Sequence, residues 1–312
     1  VNTLHFKYAV EVERTGSITQ AADNLYMAQP NLSKAIKELE ETLGIQIFER
    51  TSKGVVPTSK GSEFLIYANN ILRQLEKMES LNLPDSSQYQ RFCISIPRGS
   101  YIASGVTNFI ANLDLEKGID IHVQETNSVQ AINNIVDGSY NLGIIRYQIE
   151  YEKYFLDYLA EKEIAYDLIW EFDSLVLMSQ KHPLATLEKL QSRDLKGYIE
   201  IVHGDITVPY LPLDEIRKLS GTNSAMKKIY VYDRCSQFDM LTHIPTTYMW
   251  VSPIPKEWLE RYDLVQRKCG THAHKYKDML VYQKDYTLSD LEMKFMNQLY
   301  ESKNGVTFQK YK

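Results

Sequence analysis

GSITQAADNLYMAQPNLSKAIKELEETLG, residues 16–44, decides how this chain is read. Gly16 can adopt the left-handed conformation that ends a helix. Ser17 follows it, with Gln20 three residues on. That spacing predicts a capping box, in which Ser17 accepts from a free backbone N–H and Gln20 reaches back. The helix so opened carries Ala21, Ala22 and Leu25, and its small side chains admit a close neighbour. Tyr26 to Ala28 read as a short turn. Pro30 then falls in a first helical turn, where its missing N–H costs nothing. Leu32, Ala35, Ile36, Leu39 and Leu43 recur at helical spacing until Gly44. Two helices joined by so short a turn make a helix-turn-helix. The second helix presents Gln29, Asn31, Ser33, Lys34 and Lys37. Gln and Asn can pair with base edges, and Ser and Lys can hold phosphate. Taken alone, such a helix face also fits plain solvation.

The flanking residues extend this picture. Leu4, Phe6, Ala9, Val10 and Val12 predict a preceding helix. Ile47 to Thr58 predict a strand, a turn and a second strand, a wing on which Arg50, Lys53 and Lys60 gather positive charge. Ser17, Thr19 and Pro30 complete the expected DNA-facing set with Gln29, Asn31, Ser33, Lys34, Lys37, Arg50 and Lys53. Residues 1–60 hold seven basic and seven acidic side chains, so any positive field must be confined to one face. A long helix is predicted from Thr58 to about Leu83. Phe64, Ala68, Ile71, Leu75 and Met78 are spaced 4-3-4-3 along it, a seam suited to pairing with a second copy or to packing on its own domain. Pro84, Asp85, Ser86 and Ser87 close it with linker chemistry.

From Arg91 onward strands and helices alternate, which predicts parallel α/β units. Strands are expected at Phe92–Ile96, Ile119–Gln124, Leu142–Arg146, Leu168–Trp170, Leu175–Met178, Glu200–Val202, Ile229–Tyr232, Tyr248–Val251 and Met279–Gln283. Helices are expected up to Ile110, over Ser128–Asp137 and over Leu288–Glu301. About 220 residues suit two lobes better than one.

Composition bounds the function. The chain has 312 residues, a formal charge of −5 and three cysteines far apart. No global basic field, disulfide framework or membrane span is indicated, and a reducing cytoplasm is the expected location. No basic-then-apolar secretory segment stands at the N-terminus. Phosphate-loop, dinucleotide and hydrolase-elbow patterns are absent, and no catalytic constellation or cofactor is expected.

These residues resemble the LysR-type transcriptional regulator family. The resemblance rests on Phe6, Val10, Gly16-Ser17, Ala21-Ala22, Leu25, Gln29-Pro30, Ser33, Ile36, Leu39-Glu40, Leu43-Gly44, Phe48, Arg50, Pro57-Thr58 and Gly61. Asp137-Gly138 with Asn141-Leu142-Gly143-Ile144, and His182-Pro183-Leu184-Ala185, extend it more loosely, with Asn141 where an Asp is common. The resemblance implies a winged helix-turn-helix over 1–60, a linker and dimerisation helix over 61–90, and a two-lobed periplasmic-binding-protein-like α/β effector domain over 91–312. Lobe one would be 91–161 plus 267–312, and lobe two 162–266. It implies a regulator of transcription, working as a homodimer or homotetramer with promoter DNA, a small-molecule effector in the cleft and RNA polymerase as partners. A two-lobed binding protein without a DNA role is the alternative. Where the family often has a glycine-rich strand entry, His243 to Trp250 contain no glycine, which makes that pocket wall atypical.

Candidate effector contacts are loops at the carboxyl ends of strands. Arg98, Gly99, Ser100 and Tyr101 enter a helix whose free N–H groups could hold a carboxylate. Asn127 and Ser128 occupy the next such turn, where Ser128 could equally be a plain cap. Val202, His203 and Gly204 follow a later strand, and Thr246 and Thr247 are further candidates. Cys269, His272 and His274 are metal-ligand types on an expected surface hairpin, but no fourth ligand stands near them and no metal is assigned.

Overall fold

The computed structural model describes residues 2–51, 54–80, 89–219, 227–232, 237–270, 274–307 and 309. The chain divides into two compact units, one of residues 1–86 with 137–139 and one of residues 87–136 with 140–312.

The first unit contains α1 (Thr3–Thr15), α2 (Ile18–Asn24), α3 (Gln29–Leu43), β1 (Phe48–Thr51), β2 (Gly54–Pro57) and α4 (Ser59–Ser80). Gly16 ends α1 with φ 63°, and its N–H donates to the Val12 carbonyl. Ser17 caps α2 by accepting from the Gln20 N–H at 3.3 Å. The return half of the expected capping box is not made. Gln20 instead donates to Asn24 Oδ1 at 3.0 Å, one helical turn on. Phe6, Ala9, Val12, Ala21, Ala22, Leu32, Ile36, Leu39 and Ile47 form the core together with Leu65, Ala68 and Leu72 of α4. Burial of this apolar face, more than helix propensity, holds such short helices together.

Two polar ties fix the wing. The Glu40 carboxylate of α3 accepts from the backbone N–H groups of Ile47 at 2.7 Å and Phe48 at 3.1 Å. The Val55 N–H of β2 donates to the Gly16 carbonyl at 2.8 Å.

The seam expected on α4 is displaced. Ala68 is fully buried in the unit's own core, and the Phe64 ring sits edge-on to Phe6 at 5.5 Å. The apolar side chains that α4 turns outward are Ile66, Tyr67, Ile71 and Met78. Tyr67, Ile71, Gln74 and Met78 keep the 4-3-4 spacing on that outer face. The expected breaker at Pro84 to Ser87 lies outside the described residues.

The second unit runs β3 (Tyr89–Ile96), α5 (Ser100–Ala111), β4 (Gly118–Glu125), α6 (Ser128–Val136), β5 (Leu142–Gln148), α7 (Glu152–Glu161) and β6 (Ile164–Asp173). It continues through β7 (Leu175–Ser179), β8 (Leu190–Gln191), β9 (Ile199–His203), α8 (Leu213–Leu219), β10 (Lys228–Val231), α9 (Gln237–His243) and β11 (Thr247–Val251). It ends with α10 (Lys256–Arg261), β12 (Leu264–Arg267), β13 (Cys269–Gly270), β14 (Lys275–Gln283) and α11 (Asp290–Thr307). Two five-stranded sheets result, in the orders β4-β3-β5-β14-β6 and β10-β9-β11-β7-β12. Each is mixed. In the first, β3 runs parallel to β4 and β5 while β14 is antiparallel to β5 and β6. In the second, β9 runs parallel to β10 and β11 while β7 is antiparallel to β11 and β12.

This pairing corrects the expected lobe boundaries. Strand β6 lies in the first sheet, so lobe one extends to Asp173 and the chain crosses over at Ser174, not near residue 161. Strand β14, beginning at Lys275, belongs to the first sheet again. The two crossings are tied together: the Ser174 N–H donates to the His274 carbonyl at 2.9 Å, and the His274 N–H donates to Ser174 Oγ at 3.1 Å.

Lobe one is built on Phe92, Ile94, Tyr101, Phe109, Ile144 and Phe295, lobe two on Leu177, Ile201, Val231, Leu241, Met249 and Leu264. The His182-Pro183-Leu184-Ala185 stretch is a tight turn, in which His182 Nδ1 accepts from the Leu184 N–H at 3.0 Å. Arg267 closes over it by donating to the Ala185 and Leu187 carbonyls. Its role is therefore one of shape.

Candidate functional site

The first unit displays a polar face on α3. Its N-cap position is Ala28, which offers no side-chain acceptor to the first-turn N–H groups. Those donors carry the partial positive charge of the helix start and suit an anion. Around them Pro30, Asn31, Lys34 and Lys37 are exposed, and Gln29 and Ser33 are half-buried. Both lysines have loose partners on their own helix: Lys34 Nζ lies 3.7 Å from Glu38 and Lys37 Nζ 3.6 Å from Glu41. Exposed pairs of this kind are worth little and can be exchanged for phosphate. Thr19 and Arg50 are exposed, while the Ser17 hydroxyl is already engaged as a cap. Lys53 lies outside the described residues. Tyr26 was read from sequence only as part of the turn. Its side chain is 97% exposed on a backbone with φ 53°. An aromatic ring held outward beside α3 is a further candidate contact.

The second unit contains a cleft of about 240 Å³ lined from both lobes. Lobe one contributes Arg98, Asn127, Ser128, Arg146, Gln148, Tyr151 and Tyr276. Lobe two contributes Val202, His203, Asp205, Lys228 and Trp250, among others. Of the residues expected to meet an effector, Arg98, Ser128, Val202 and His203 line this space, whereas Gly99, Ser100, Tyr101 and Thr246 do not.

The reasons are local. Tyr101 is fully buried and its hydroxyl donates to Asp278, not to the cleft. Burial, then the neighbouring carboxylate, push that phenol well up. Gly99 leaves room for another side chain: a Cβ there would stand 2.8 Å from Arg146 Nη2. Ser100 is buried at the start of α5, and Thr246 is exposed. Ser128 is not a helix cap. Its hydroxyl donates to the Arg146 carbonyl at 2.7 Å and accepts from the Arg146 N–H at 2.9 Å. Asn127 is the capping residue, accepting from the Gln130 N–H at 2.9 Å.

Arg146, which the sequence reading passed over, is the hub. Its guanidinium meets Asp278 bidentately, with Nε to Oδ1 at 2.7 Å and Nη2 to Oδ2 at 2.6 Å. Nη1 reaches across to Ser252 Oγ of lobe two at 3.0 Å, and the group lies 4.9 Å over the Phe172 ring. Arg98 crosses the other way, pairing with Asp205 at 2.6 Å and donating to the Tyr232 carbonyl. Lys228 stands 3.9 Å from Glu200. Burial pushes the Glu200 carboxyl up, and the Lys228 ammonium partly offsets this.

Cys269 is buried and paired in a short parallel bridge with Leu190, not on a surface hairpin. Burial pushes its thiol up. His274 faces the cleft, edge-on to Trp250 at 6.2 Å. His272 lies outside the described residues. Among the described residues no group of three His, Cys, Asp or Glu side chains is arranged to hold a metal, and no helix is long and apolar enough to cross a membrane.

Residues 4–62 match the family described as "Bacterial regulatory helix-turn-helix protein, lysR family". The HTH-type transcriptional regulator BenM of Acinetobacter baylyi is 46% identical over 77 residues, which are 25% of this chain and 25% of that protein. A probable RuBisCO transcriptional regulator of Cyanophora paradoxa is 26% identical over 184 residues, 58% of this chain and 54% of that protein. The matched stretches thus span between a quarter and just over half of these relatives. The crystal structure of CbnR, a LysR family transcriptional regulator, has a TM-score of 0.63 at 14% identity, covering 97% of this chain and 99% of CbnR. A structure of full-length CbnR with its target DNA has a TM-score of 0.61, again at 14% identity, covering 97% of this chain and 100% of that one. At that identity the likeness is one of fold. The family match thus covers the helix-turn-helix segment, residues 4–62, and the likeness along the full length is to the fold of CbnR.

Proposed function

We propose that this protein is a sequence-specific DNA-binding regulator of transcription, controlled by a small molecule held between its two lobes. It acts as a regulator and not as an enzyme. The observation that carries the reading is the uncapped, polar, exposed start of α3 within a segment that matches the lysR helix-turn-helix family. Gln29, Asn31 and Ser33 would read bases, while Lys34, Lys37 and Arg50 would hold phosphate, with Thr19 and Pro30 at the margins. Lys53 of the wing would add to the phosphate contacts. The expected setting is the cytoplasm, and RNA polymerase is the expected downstream partner.

The ligand would act by favouring one closure of the lobes. That requires different affinity for the two closures. Arg98 and Arg146 suit such a role, because each carries a polar contact from lobe one to lobe two.

A mobility-shift titration against fragments selected from genomic DNA tests the DNA reading. Lys34→Ala is expected to weaken binding across all sequences and to lower the salt slope by about 1. Ser33→Ala is expected to weaken the selected site in preference to bulk DNA. Unchanged affinity of both variants at matched salt would remove α3 as the recognition helix.

Self-association is assigned to the outer face of α4. Ile71→Glu places a charge in the row Tyr67, Ile71, Gln74 and Met78. Sedimentation velocity is expected to show a loss of the dimer or tetramer. An unchanged oligomer would move the interface elsewhere.

A further inference from the structure

The cleft's charges close on one another. Arg98 is met by Asp205, Arg146 by Asp278 and Lys228 by Glu200. Among the described residues three cations face three carboxylates, and no net charge is left over to meet an ionic ligand. An incoming carboxylate would lose its hydration and find each positive group already neutralised. Gln148 and Tyr151 line the cleft, and Gln148 Oε1 and the Tyr151 hydroxyl are buried without a hydrogen-bond partner. The other end of the Gln148 amide donates to the Tyr276 hydroxyl at 2.9 Å. That hydroxyl can donate as well as accept, so the amide can turn either end toward a ligand. The remaining walls are aromatic and aliphatic, with Tyr230, Trp250, Phe155 and Val202 among them. The space suits a molecule of one or two rings.

We propose that the cleft takes an uncharged ring compound bearing an amide or hydroxyl group, and discriminates against the corresponding carboxylate. The inference rests on reading the cleft as the effector site. Gln148 and Tyr151 supply the polar recognition, and the three ion pairs supply the rejection of anions.

The test uses the full chain at pH 8, where unperturbed imidazoles are neutral. Matched pairs are titrated calorimetrically: benzamide and benzoate, nicotinamide and nicotinate, naphthamide and naphthoate. Val202→Trp, which fills the cleft, identifies binding that occurs there. The amides are expected to bind at least about tenfold more tightly than their acids, about one step on the affinity scale, and to lose binding in Val202→Trp. Asp205→Asn, which leaves Arg98 uncompensated, is expected to raise acid affinity by a similar factor. Cleft-dependent binding that favours the acids would overturn the charge argument while leaving the cleft as a ligand site. The absence of cleft-dependent binding by any of the six compounds would overturn the effector reading and this inference with it.

Discussion

Asp278→Ala is expected to destabilise the second unit by about 3–5 kcal/mol, the range measured when one member of a buried ion pair is removed. Asp278 is fully buried. It holds the Arg146 guanidinium at two points and accepts from the Tyr101 hydroxyl. Its loss strands a guanidinium that cannot shed its proton at any working pH. Burial opposes that charge, and the Asp278 carboxylate outweighs it, so the Arg146 pKa in the folded chain is raised. Scanning calorimetry is expected to show the transition of the second unit falling by about 10 °C. The double variant Arg146→Met with Asp278→Leu removes both charges and is expected to recover most of the loss. If the single variant melted like the native chain, the pair would not be structural. If the double variant were as unstable as the single one, packing and not charge would explain the effect.

Gly61→Ala is expected to break the first unit. A Cβ at this position would stand 1.9 Å from the Ile47 carbonyl oxygen and 2.7 Å from its carbon. Backbone cannot yield as a side chain can. The start of α4 would have to leave β1, taking with it the Thr58 N–H to Ile47 carbonyl bond of 2.9 Å. The Thr58 hydroxyl's bond to the Gln46 carbonyl at 2.6 Å would go too. A cost of about 3 kcal/mol is expected, at the upper end of overpacking effects. Hydrogen exchange should show lost protection over residues 1–80 with the second unit unchanged. Gly305→Ala serves as the control, since nothing lies within 4 Å of its Cβ position and helical alanine is favoured over glycine. Equal behaviour of the two variants would refute the steric argument.

The helix-turn-helix was legible because its signals are local. Gly16, Ser17, Pro30 and Gly44 act within one turn of themselves, and the apolar period of α3 spans only fifteen residues. Most strands were legible as apolar runs for the same reason. Strand β6 was legible only in its middle, because Asp167, Glu171 and Asp173 interrupt the apolar pattern of an edge strand that is largely exposed. The seam on α4 was misplaced because periodicity finds a stripe but not the neighbour it faces. Leu65, Ala68 and Leu72 compete with the outer row, and only the packed core shows which row is claimed. The cleft was least legible. Arg146 sits inside a strand, and its meaning depends on Asp278, 132 residues later. Gly99 looked like part of an anion loop, yet what it provides is space for that arginine. No spacing rule reaches across such separations.

The place of β14 has a consequence for biosynthesis. It lies between β5 and β6, and β6 has no other partner in its sheet. A nascent chain emerging in order therefore makes β6 long before the strand that pairs with it. All the strands of the second sheet, β7 and β9 to β12, are available before residue 275 is translated. Because compact units tend to fold as they appear, lobe two can close while lobe one still has a gap one strand wide. Residues 275–307 then complete lobe one, inserting β14 and laying α11 against α5. A ribosome that stalls shortly before Lys275 would release a chain with lobe two finished and lobe one with β5 open on one side and β6 unpaired, a form prone to pairing with other chains.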